Sequence, residues 1–550
     1  MDAMIVITAL MLIVLLIVFG INYYYIKEIA KMKKVPINVI PSLIVGVLVV
    51  PLLGIALPLF WLIRNIVGLL LRIQCGRNFM GFFDGLDALH GRLVTATINI
   101  LLVMELDSHH SKQNLLKMIT DLVDKTIISK RREMPKFCST LRSYLGYKYM
   151  LYQPNLDVHR CVKVLNIIQG ERKSKLSKDE LMMLINHHSS DQFPYENKLM
   201  WDVYIGTQPI NWRDNLEKTY YPVLFRFNHG VADAVNLFKF ITGVCANVDD
   251  IIQHRGVCIN SKRAFTFVAT AMNTLITVLF SPAVFCAMFV IKKDKTHSYQ
   301  KMERNGLTNL HAEISSEYLC KIKKIISKYK RASFTGVLMT AISAFFEDYY
   351  TKNNQACPEY LTAVLPIHPH AMELITLKPG SLIHNDVRIR NEHHALHLIL
   401  PISPKKDFRL KDRSLTDRLN VIMDHIYFEK RNIVRKVVVD LLALLSAYMP
   451  SPILTLFPPL PNTICVSNVP GSSTISLGED NLKVCDYTFL VPDMQTVCYF
   501  LAITSYEQRL QISLSIRSWL WCKDNFQVII DNIYKYIDLL EKEIENSEEK

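Results

Sequence analysis

The clearest change of hydrophobic pattern in the sequence falls at residues 221–234, YPVLFRFNHGVADA. Over residues 221–228 the side chains divide with a period of two, which predicts a β-strand packed on one face. The run AVNLFKFITGV then has apolar residues at helical spacing, and Asp233 stands just before it, where a carboxylate can cap a first turn. The pattern therefore predicts a strand that ends at His229, a turn at Gly230, and a helix.

Strand and helix patterns also alternate in the second half of the chain. YLTAVLPIH and HALHLILPI predict strands, whereas HAEISSEYLCKIKKII and FTGVLMTAISAFFEDYY predict helices. The first half shows the same mixture. With 550 residues the chain is too long for one ordinary core, so we expect an α/β protein with two halves of similar size.

Three apolar runs predict contact with a membrane. Met4–Ile21 carries no charge and is followed by tyrosines and lysines, which is typical of a retained transmembrane anchor. Val35–Ile63 contains four prolines between basic flanks and predicts a hairpin that enters the bilayer and returns, with two short spans or one kinked span as alternatives. Ala264–Ile291 would separate the halves if it crossed, so we interpret it as a buried or membrane-resting helix.

His229 is a candidate general base, because a histidine at a strand end is held rigidly and can accept a proton near neutral pH. The spacing HxxxD is weak on its own, since the chain has 17 histidines and a second match runs from His187 to Asp191. No strand precedes that second match, so we interpret it as surface histidines. For His229 two roles stay open, a catalytic base or a histidine that only hydrogen-bonds at a strand end.

The composition and the motifs that do not occur leave several classes of function without support. The 12 cysteines form no CxxC pair and no spacing typical of zinc, so we expect no metal. No phosphate-binding loop, GxGxxG or GxSxG motif occurs. The formal net charge is +13, and its densest clusters, Lys31–Lys34 and Lys321–Arg331, come without a recognition motif. The first lies beside a membrane segment and indicates attraction to anionic headgroups, and the second is interpreted as a solvated helix face, with binding of coenzyme A phosphates as the alternative. We expect no nucleic-acid partner.

Several segments resemble, in the same order, motifs of the wax ester synthase/diacylglycerol acyltransferase family. NHGVADA resembles its HHxxxDG motif, with Asn228 in place of the first His and Ala234 in place of the Gly. LMWDVYI, which contains Trp201, is similar to its PLW segment, and YLTAVLPIHPH resembles its PVS-R strand, with His370 in the place of the Arg. SNVPG, Ser467–Gly471, is the clearest C-terminal match.

The resemblance implies two chloramphenicol-acetyltransferase-like halves with the active site between them, behind an N-terminal membrane region. The expected organisation is a membrane region at 1–80 (one transmembrane helix and the Pro-broken hairpin), an N-terminal acyltransferase half at 81–255, an apolar crossover at 256–300, a C-terminal half at 301–541 and an acidic tail at 542–550.

The resemblance also implies an O-acyltransferase that moves a fatty acyl group from acyl-CoA to a lipid alcohol. A long-chain alcohol would give a wax ester, and diacylglycerol would give triacylglycerol. Acyl-CoA is then a substrate, and no cofactor is expected. The expected partners are acyl-CoA, the lipid alcohol and a membrane, that of the endoplasmic reticulum with the body in the cytoplasm, or alternatively the plasma membrane.

We expect His229 to act as the general base and Asp233 to hold the loop and the orientation of the histidine. Asn228 carries an amide that suits a developing oxyanion, an expectation from chemistry. The residues expected to support the site or line the substrate channel are Gly230, Trp201, Asn468 and Gly471.

One alternative from another class stays open. The family has an Asn-Asp pair where this chain has Thr335 and Gly336, and the changes at Asn228 and Ala234 alter the motif itself. These four changes favour a catalytically impaired, membrane-anchored lipid-binding or interaction protein on the same fold.

Overall fold

The computed structural model describes most of the chain, and these residues are 9, 13, 16–28, 39–92, 96–107, 112–165, 175–190, 199–215, 217–245, 272–282, 307–314, 316–354, 356–371, 389–403, 414–431, 433–455, 462–471, 474–478, 482–490, 497–507, 509–517 and 523–548. Most of the predicted anchor Met4–Ile21 and much of the predicted crossover Ala264–Ile291 lie outside them.

The helices in chain order are α1 (16–28), α2 (Val39–Cys75), α3 (Gly85–His90), α4 (Lys112–Val123), α5 (Lys178–Ser190), α6 (Ala234–Gly243), α7 (Met272–Pro282), α8 (Ser316–Lys328), α9 (Phe334–Lys352), α10 (Leu415–Arg431), α11 (Ile433–Tyr448), α12 (Ser451–Leu454) and α13 (Lys523–Glu548). The strands are β1 (Phe79–Phe82), β2 (Thr97–Asp107), β3 (Ser139–Tyr144), β4 (Tyr147–Tyr152), β5 (Val162–Leu165), β6 (Trp201–Gly206), β7 (Lys218–Asn228), β8 (Leu307–Ile314), β9 (Tyr360–Ile367), β10 (His394–Pro401), β11 (Asn462–Val469), β12 (Ile475–Leu477), β13 (Leu482–Leu490), β14 (Val497–Tyr506) and β15 (Arg509–Arg517).

These strands form two mixed six-stranded sheets, which confirms the predicted α/β class. The first sheet has the order β12-β13-β2-β7-β6-β5, and the second has the order β10-β9-β11-β14-β15-β8. Helices α8, α9, α10 and α13 pack their apolar residues on the second sheet. A small sheet, β1-β4-β3, adjoins α2.

The strand β7, which leads to the candidate site, is buried on both faces. Phe225 belongs to the main core on one face of the first sheet, and Leu224 belongs to a second core on the other face. The prediction of a strand packed on one face is therefore wrong. The charged side chain of Arg226 is tolerated inside because its guanidinium meets the carboxylate of Asp202 in two hydrogen bonds of 2.8 and 2.9 Å.

The chain crosses from one sheet to the other and back. Strands β12 and β13 follow β11 of the second sheet, yet β13 pairs antiparallel with β2 in the first sheet. The range 301–541 predicted for the second half therefore contains two strands of the first sheet. On β13, Asp486 accepts hydrogen bonds from Trp212 (3.2 Å) and from Gln511 of β15 (2.9 Å), and Gln511 accepts one from His311 of β8 (2.7 Å). We call these four residues the β13 seam.

The prediction of a Pro-broken hairpin is wrong, because helix α2 runs through this stretch. It is one continuous helix of 37 residues. A proline inside a helix removes one backbone hydrogen bond and bends the helix, but it does not reverse the chain. Packing compensates for these losses, because Leu53 and Leu57 contact the apolar face of α11, and Val67 and Leu71 contact Tyr147 and Tyr149 of β4.

Two expectations also change at the second sheet. Residues 311–314, predicted as helix, are the end of β8, because they pair with β15 along the sheet edge. The acidic tail is not a separate solvated end, since α13 continues to Glu548 and Glu545 lies 2.7 Å from Lys324. The basic face of α8 thus meets acidic side chains of α13, as also in the pair Lys321–Asp538 at 2.7 Å.

Candidate active site

His229 lies at the end of β7, in the turn that the sequence predicts. Its backbone N–H donates to Ala96 (2.7 Å), and its carbonyl accepts from the side chain of Asn391 (2.7 Å). The residue is partly accessible, while its Nδ1 is buried and has no hydrogen-bond partner in the described part of the chain. Burial, together with His393, lowers the pKa of His229 to about 4. The imidazole is therefore neutral at neutral pH.

Asn228 and Gly230 shape this turn. The side-chain oxygen of Asn228 accepts a hydrogen bond from the N–H of Gly230 (2.8 Å), which makes a local Asx turn. A Cβ at position 230 would lie 2.7 Å from the Cα of Gly91. The close approach of these two glycines brings the end of α3, with His90, against His229. Gly230 is thus needed for the backbone contact between the turn and α3.

Asp233 begins α6, as predicted, and it also reaches the second half. One carboxylate oxygen accepts from the N–H of Asn236 (3.0 Å), the capping interaction, and the other accepts from the N–H of Glu392 (2.7 Å). That second oxygen also lies 3.5 Å from His368 Nε2 and 3.9 Å from His393 Nδ1. Burial raises the pKa of Asp233, but His393, His368 and the amide of Glu392 outweigh burial and lower it to about 2.

The resemblance places His370 at the family's arginine, but His368 occupies the position next to Asp233. His370 is exposed, whereas the side chain of His368 is only 3% exposed and faces Asp233 and Glu392. The difference arises because the two residues follow the end of β9 at Ile367, where the chain turns and side chains no longer alternate as in a strand.

A segment of the second half, Ile389–His393, completes the site. It is fixed to the first half by hydrogen bonds along its backbone, and these join the carbonyl of Ile389 to Lys136 (3.1 Å), the carbonyl of Arg390 to Asn236 (2.9 Å), the N–H of Asn391 to Asp87 (2.8 Å) and the N–H of Glu392 to Asp233 (2.7 Å). We call Ile389–His393 the strap. It brings His393 to the end of β7.

Three imidazole rings meet where the strap, α3 and β7 come together. The rings of His90 and His229 are stacked with their centroids 4.0 Å apart, and His393 lies 5.6 Å from His229. The Nε2 atoms of His90 and His393 are 3.2 Å apart, which is hydrogen-bond distance. Burial lowers the pKa of His90 well below its ordinary value, with His229 and His393 adding to the effect.

Sequence reasoning missed His90, Asp87, Lys136 and the whole strap. These residues follow no local pattern, since Asn391 and Asp87 are 304 positions apart in the chain. A local signal was the pair His393-His394 at the start of the predicted strand HALHLILPI. Among the side chains that the structure describes, no group of three His, Cys, Asp or Glu residues could hold a metal ion.

The other predicted site residues have structural partners of their own. Trp201 lies in the main core and donates its indole N–H to Phe137 (2.7 Å). Asn468 is on β11 opposite Ile503, and the N–H of Gly471 donates to the Ser505 hydroxyl (3.0 Å). His187, of the second HxxxD match, is an exposed residue in the last turn of α5.

Comparisons with known proteins define the class to which this architecture belongs. The wax ester synthase/diacylglycerol acyltransferase from Marinobacter aquaeolei VT8 superimposes with a TM-score of 0.52 and 14% identity, over 84% of this chain and 99% of that chain. The trichothecene 15-O-acetyltransferase TRI3 from Fusarium sporotrichioides gives a TM-score of 0.53 and 12% identity, over 84% of this chain and 95% of that chain. No protein-family model and no curated protein sequence matches the chain. These likenesses confirm the predicted fold of two chloramphenicol-acetyltransferase-like halves.

Proposed function

We propose that this protein is an O-acyltransferase that moves a fatty acyl group from acyl-CoA to the hydroxyl of a lipid alcohol. The observation that carries the proposal is the placement of His229, a neutral and partly accessible imidazole at the junction between the two halves, beside the buried carboxylate of Asp233. Both structural neighbours are, by name, acyltransferases that act on oxygen or on lipid acceptors.

The chemistry requires a base, because an alcohol is a poor nucleophile at neutral pH. His229 accepts the hydroxyl proton as the alcohol oxygen attacks the thioester carbonyl. A C–O bond forms, the C–S bond breaks, and the proton passes to the departing thiolate, so that ester and free coenzyme A leave. General-base help of this kind contributes about 10²- to 10⁴-fold to the rate.

Asp233 and Asn228 have supporting roles in this proposal. Asp233 stays ionised, caps α6 and holds the strap at Glu392, so it fixes the geometry around His229 and offsets the positive charge that the imidazole gains. Asn228 uses its amide oxygen for Gly230, and its amide nitrogen carries the donors that a developing oxyanion needs.

The acceptor class is proposed from the apolar outer face of α2. Large apolar side chains along this face are exposed, and they are Leu52, Ile55, Leu59, Trp61, Leu62, Ile66, Leu69 and Ile73. Leu52–Asn78 is long and apolar enough to cross a bilayer, judged by length and composition. Such a surface suits a membrane, where wax alcohols and diacylglycerol are found. We place the protein at the endoplasmic reticulum with its body in the cytoplasm.

The test of activity uses membranes from cells that express the protein. Labelled acyl-CoA is added with a panel of acceptors, namely long-chain alcohols, diacylglycerol and sterols, and the neutral lipids are separated. The proposal expects one labelled ester above the level in control membranes, and the acceptor that gives it assigns the substrate. If the membranes bind acyl-CoA but form no ester with any acceptor, the impaired lipid-binding protein is the correct reading.

The membrane surface is tested by site-specific crosslinking. A photoreactive amino acid at Leu59 should capture phospholipid in these membranes, whereas the same group at Met183 should not. The control is matched, because both side chains are large, apolar and exposed, at 52% and 57%, but Met183 is on α5 of the first half. Absence of lipid at Leu59 would contradict the surface proposed for α2.

A further inference from the structure

The three imidazoles come from three separate parts of the chain, and only one of them belongs to the HxxxD motif. His90 ends α3, His229 follows β7, and His393 ends the strap. His90 is 4% exposed, and the ring planes of His90 and His229 are within 21° of parallel. His90 therefore forms one wall of the space that holds the His229 ring.

His90 is itself firmly placed. Its helix carries Asp87, whose carboxylate binds Asn391 of the strap at 2.7 Å and Lys136 at 2.7 Å. The next residue, Gly91, touches Gly230 of the His229 turn. Helix α3, the His229 turn and the strap thus form one unit. His90 belongs to α3 and His393 belongs to the strap, so the two histidines beside His229 come from two different segments that pack on the turn.

The Nε2 atoms of His90 and His393 are 3.2 Å apart, which is hydrogen-bond distance. A hydrogen bond between two imidazole nitrogens needs one proton, so one Nε2 donates and the other accepts. Nδ1 of His393 lies 3.9 Å from the carboxylate of Asp233, and we therefore assign the ring proton of His393 to Nδ1. His393 then accepts through Nε2, and His90 donates its Nε2–H.

We propose that His90 and His393 form a hydrogen-bonded positioning pair that holds the His229 ring in its reactive orientation. This inference rests on the proposed acyl transfer and deepens it. Burial lowers the pKa of His90 well below its ordinary value, so this ring is neutral, and the carboxylate of Asp233 raises the pKa of His229 against the larger lowering by burial. The hydrogen bond to His393 fixes the side chain of His90, and this fixed side chain is the wall against which the His229 ring is held.

Two substitutions separate the parts of this role. His90→Gln keeps an N–H donor near the position of Nε2, whereas His90→Phe keeps a flat ring for stacking and loses the donor. His311→Phe is the matched control, because His311 is also a buried histidine with one Nε2 hydrogen bond (2.7 Å to Gln511), but it is in the β13 seam. Melting temperatures of all variants show whether each protein folds.

With the full chain in membranes, His90→Phe should lower kcat about 10- to 100-fold at unchanged KM, the loss expected when a reacting group is misplaced by about 1 Å. His90→Gln should stay within about threefold of the wild type. In a His229→Ala background, His90→Phe should cause no further loss, because the pair acts only through His229. Equal losses in His90→Gln and His90→Phe, or an additive loss in the double variant, would overturn the pair. Loss of activity on adding a chelator would also overturn it in favour of a metal.

A second readout does not depend on catalysis. Diethyl pyrocarbonate modifies neutral imidazoles, and peptide mass spectrometry measures its rate at His229. This rate should rise severalfold in His90→Phe and stay unchanged in His90→Gln and His311→Phe. An unchanged rate in a folded His90→Phe protein contradicts the pair, whereas a raised rate in a protein that makes no ester would keep the pair and reject the acyl transfer.

Discussion

Two junctions between the halves, the site around Asp233 and the β13 seam around Asp486, are built from the same residue types and differ in chemistry. Each has a buried aspartate and a histidine whose pKa is lowered, mainly by burial, to about 4. In the seam the ring nitrogen of His311 has a fixed partner, Gln511, and Asp486 binds Trp212 and Gln511. At the site, Nδ1 of His229 has no partner in the described structure, and the residue is partly accessible.

The two aspartates differ in the same way. Burial raises the pKa of Asp486, and the indole of Trp212 only partly offsets this. At Asp233, the imidazoles of His393 and His368 and the amide of Glu392 prevail over burial and lower the pKa to about 2. A buried carboxylate and a buried histidine thus have a structural role when their hydrogen bonds are all made to other side chains of the protein. They become a candidate catalytic pair when the histidine is partly accessible to a substrate beside an ionised carboxylate.

The largest expected difference is between the two histidines. His229→Ala should lower ester formation about 10²- to 10⁴-fold, because it removes the base. His311→Ala should leave the rate per folded molecule within about threefold and should lower the melting temperature, since it leaves the side-chain oxygen of Gln511 without the donor His311. Initial rates and melting curves of both variants decide the matter. Similar rate losses for both would mean that His229 is an ordinary buried histidine.

For the two aspartates we expect the larger loss of stability in the β13 seam and the larger loss of rate at the site. Asp486→Ala leaves the buried donors of Trp212 and Gln511 without their acceptor, removes the carboxylate partner of Arg213, and should lower the free energy of unfolding by about 3 kcal/mol. Asp233→Asn can still accept the Asn236 hydrogen bond but leaves the N–H of Glu392 without its acceptor, so it should cost about 2 kcal/mol while reducing the rate about tenfold or more. Denaturant unfolding and initial rates measure the two effects. A fully active Asp233→Asn protein would remove the carboxylate from the proposed site.

The pH dependence of stability follows from the lowered histidine pKa values. Below pH 6.5 the unfolded chain binds protons at His229 and His311, while the folded protein stays neutral at both until about pH 4. These histidines therefore reduce the free energy of unfolding as the pH falls through this window. The loss of stability between pH 7 and pH 5 should be smaller in His311→Gln than in the wild type. The Asp233 carboxylate acts outside this window, because its stabilisation is complete above pH 3.8 and is lost only as the pH falls through about 2. Urea unfolding at both pH values makes the comparison, and an identical loss in the variant would show that His311 titrates normally.

The smallest effect is expected at the second HxxxD match. His187→Ala should change neither the rate nor the melting temperature by a measurable amount, because His187 is exposed at the end of α5, outside both junctions. Any loss of ester formation comparable with that of His229→Ala would mean that the motif at β7 has been misassigned.

Local patterns in the sequence were enough for the part of the site that lies within one stretch of chain. The strand β7, the turn at Gly230 and the cap at Asp233 depend on neighbours a few residues apart, so the period of apolar residues and the capping preference determined them, although the burial of β7 on both faces was not among these. The α/β class followed for the same reason. These interactions are short-range, and each one is stated by residue types at fixed spacing.

Only the tertiary structure decided the rest. The strap, His90 and Lys136 come to the turn at His229–Val231 from positions far apart in the chain, and the burial that keeps His229 and His90 neutral depends on both sheets being in place. Long-range pairing also made residues 311–314 a strand instead of a helix, and packing on α11 and β4 kept α2 continuous through its prolines. A local pattern cannot specify these outcomes, because their free energy comes from surfaces that meet only after the chain has folded.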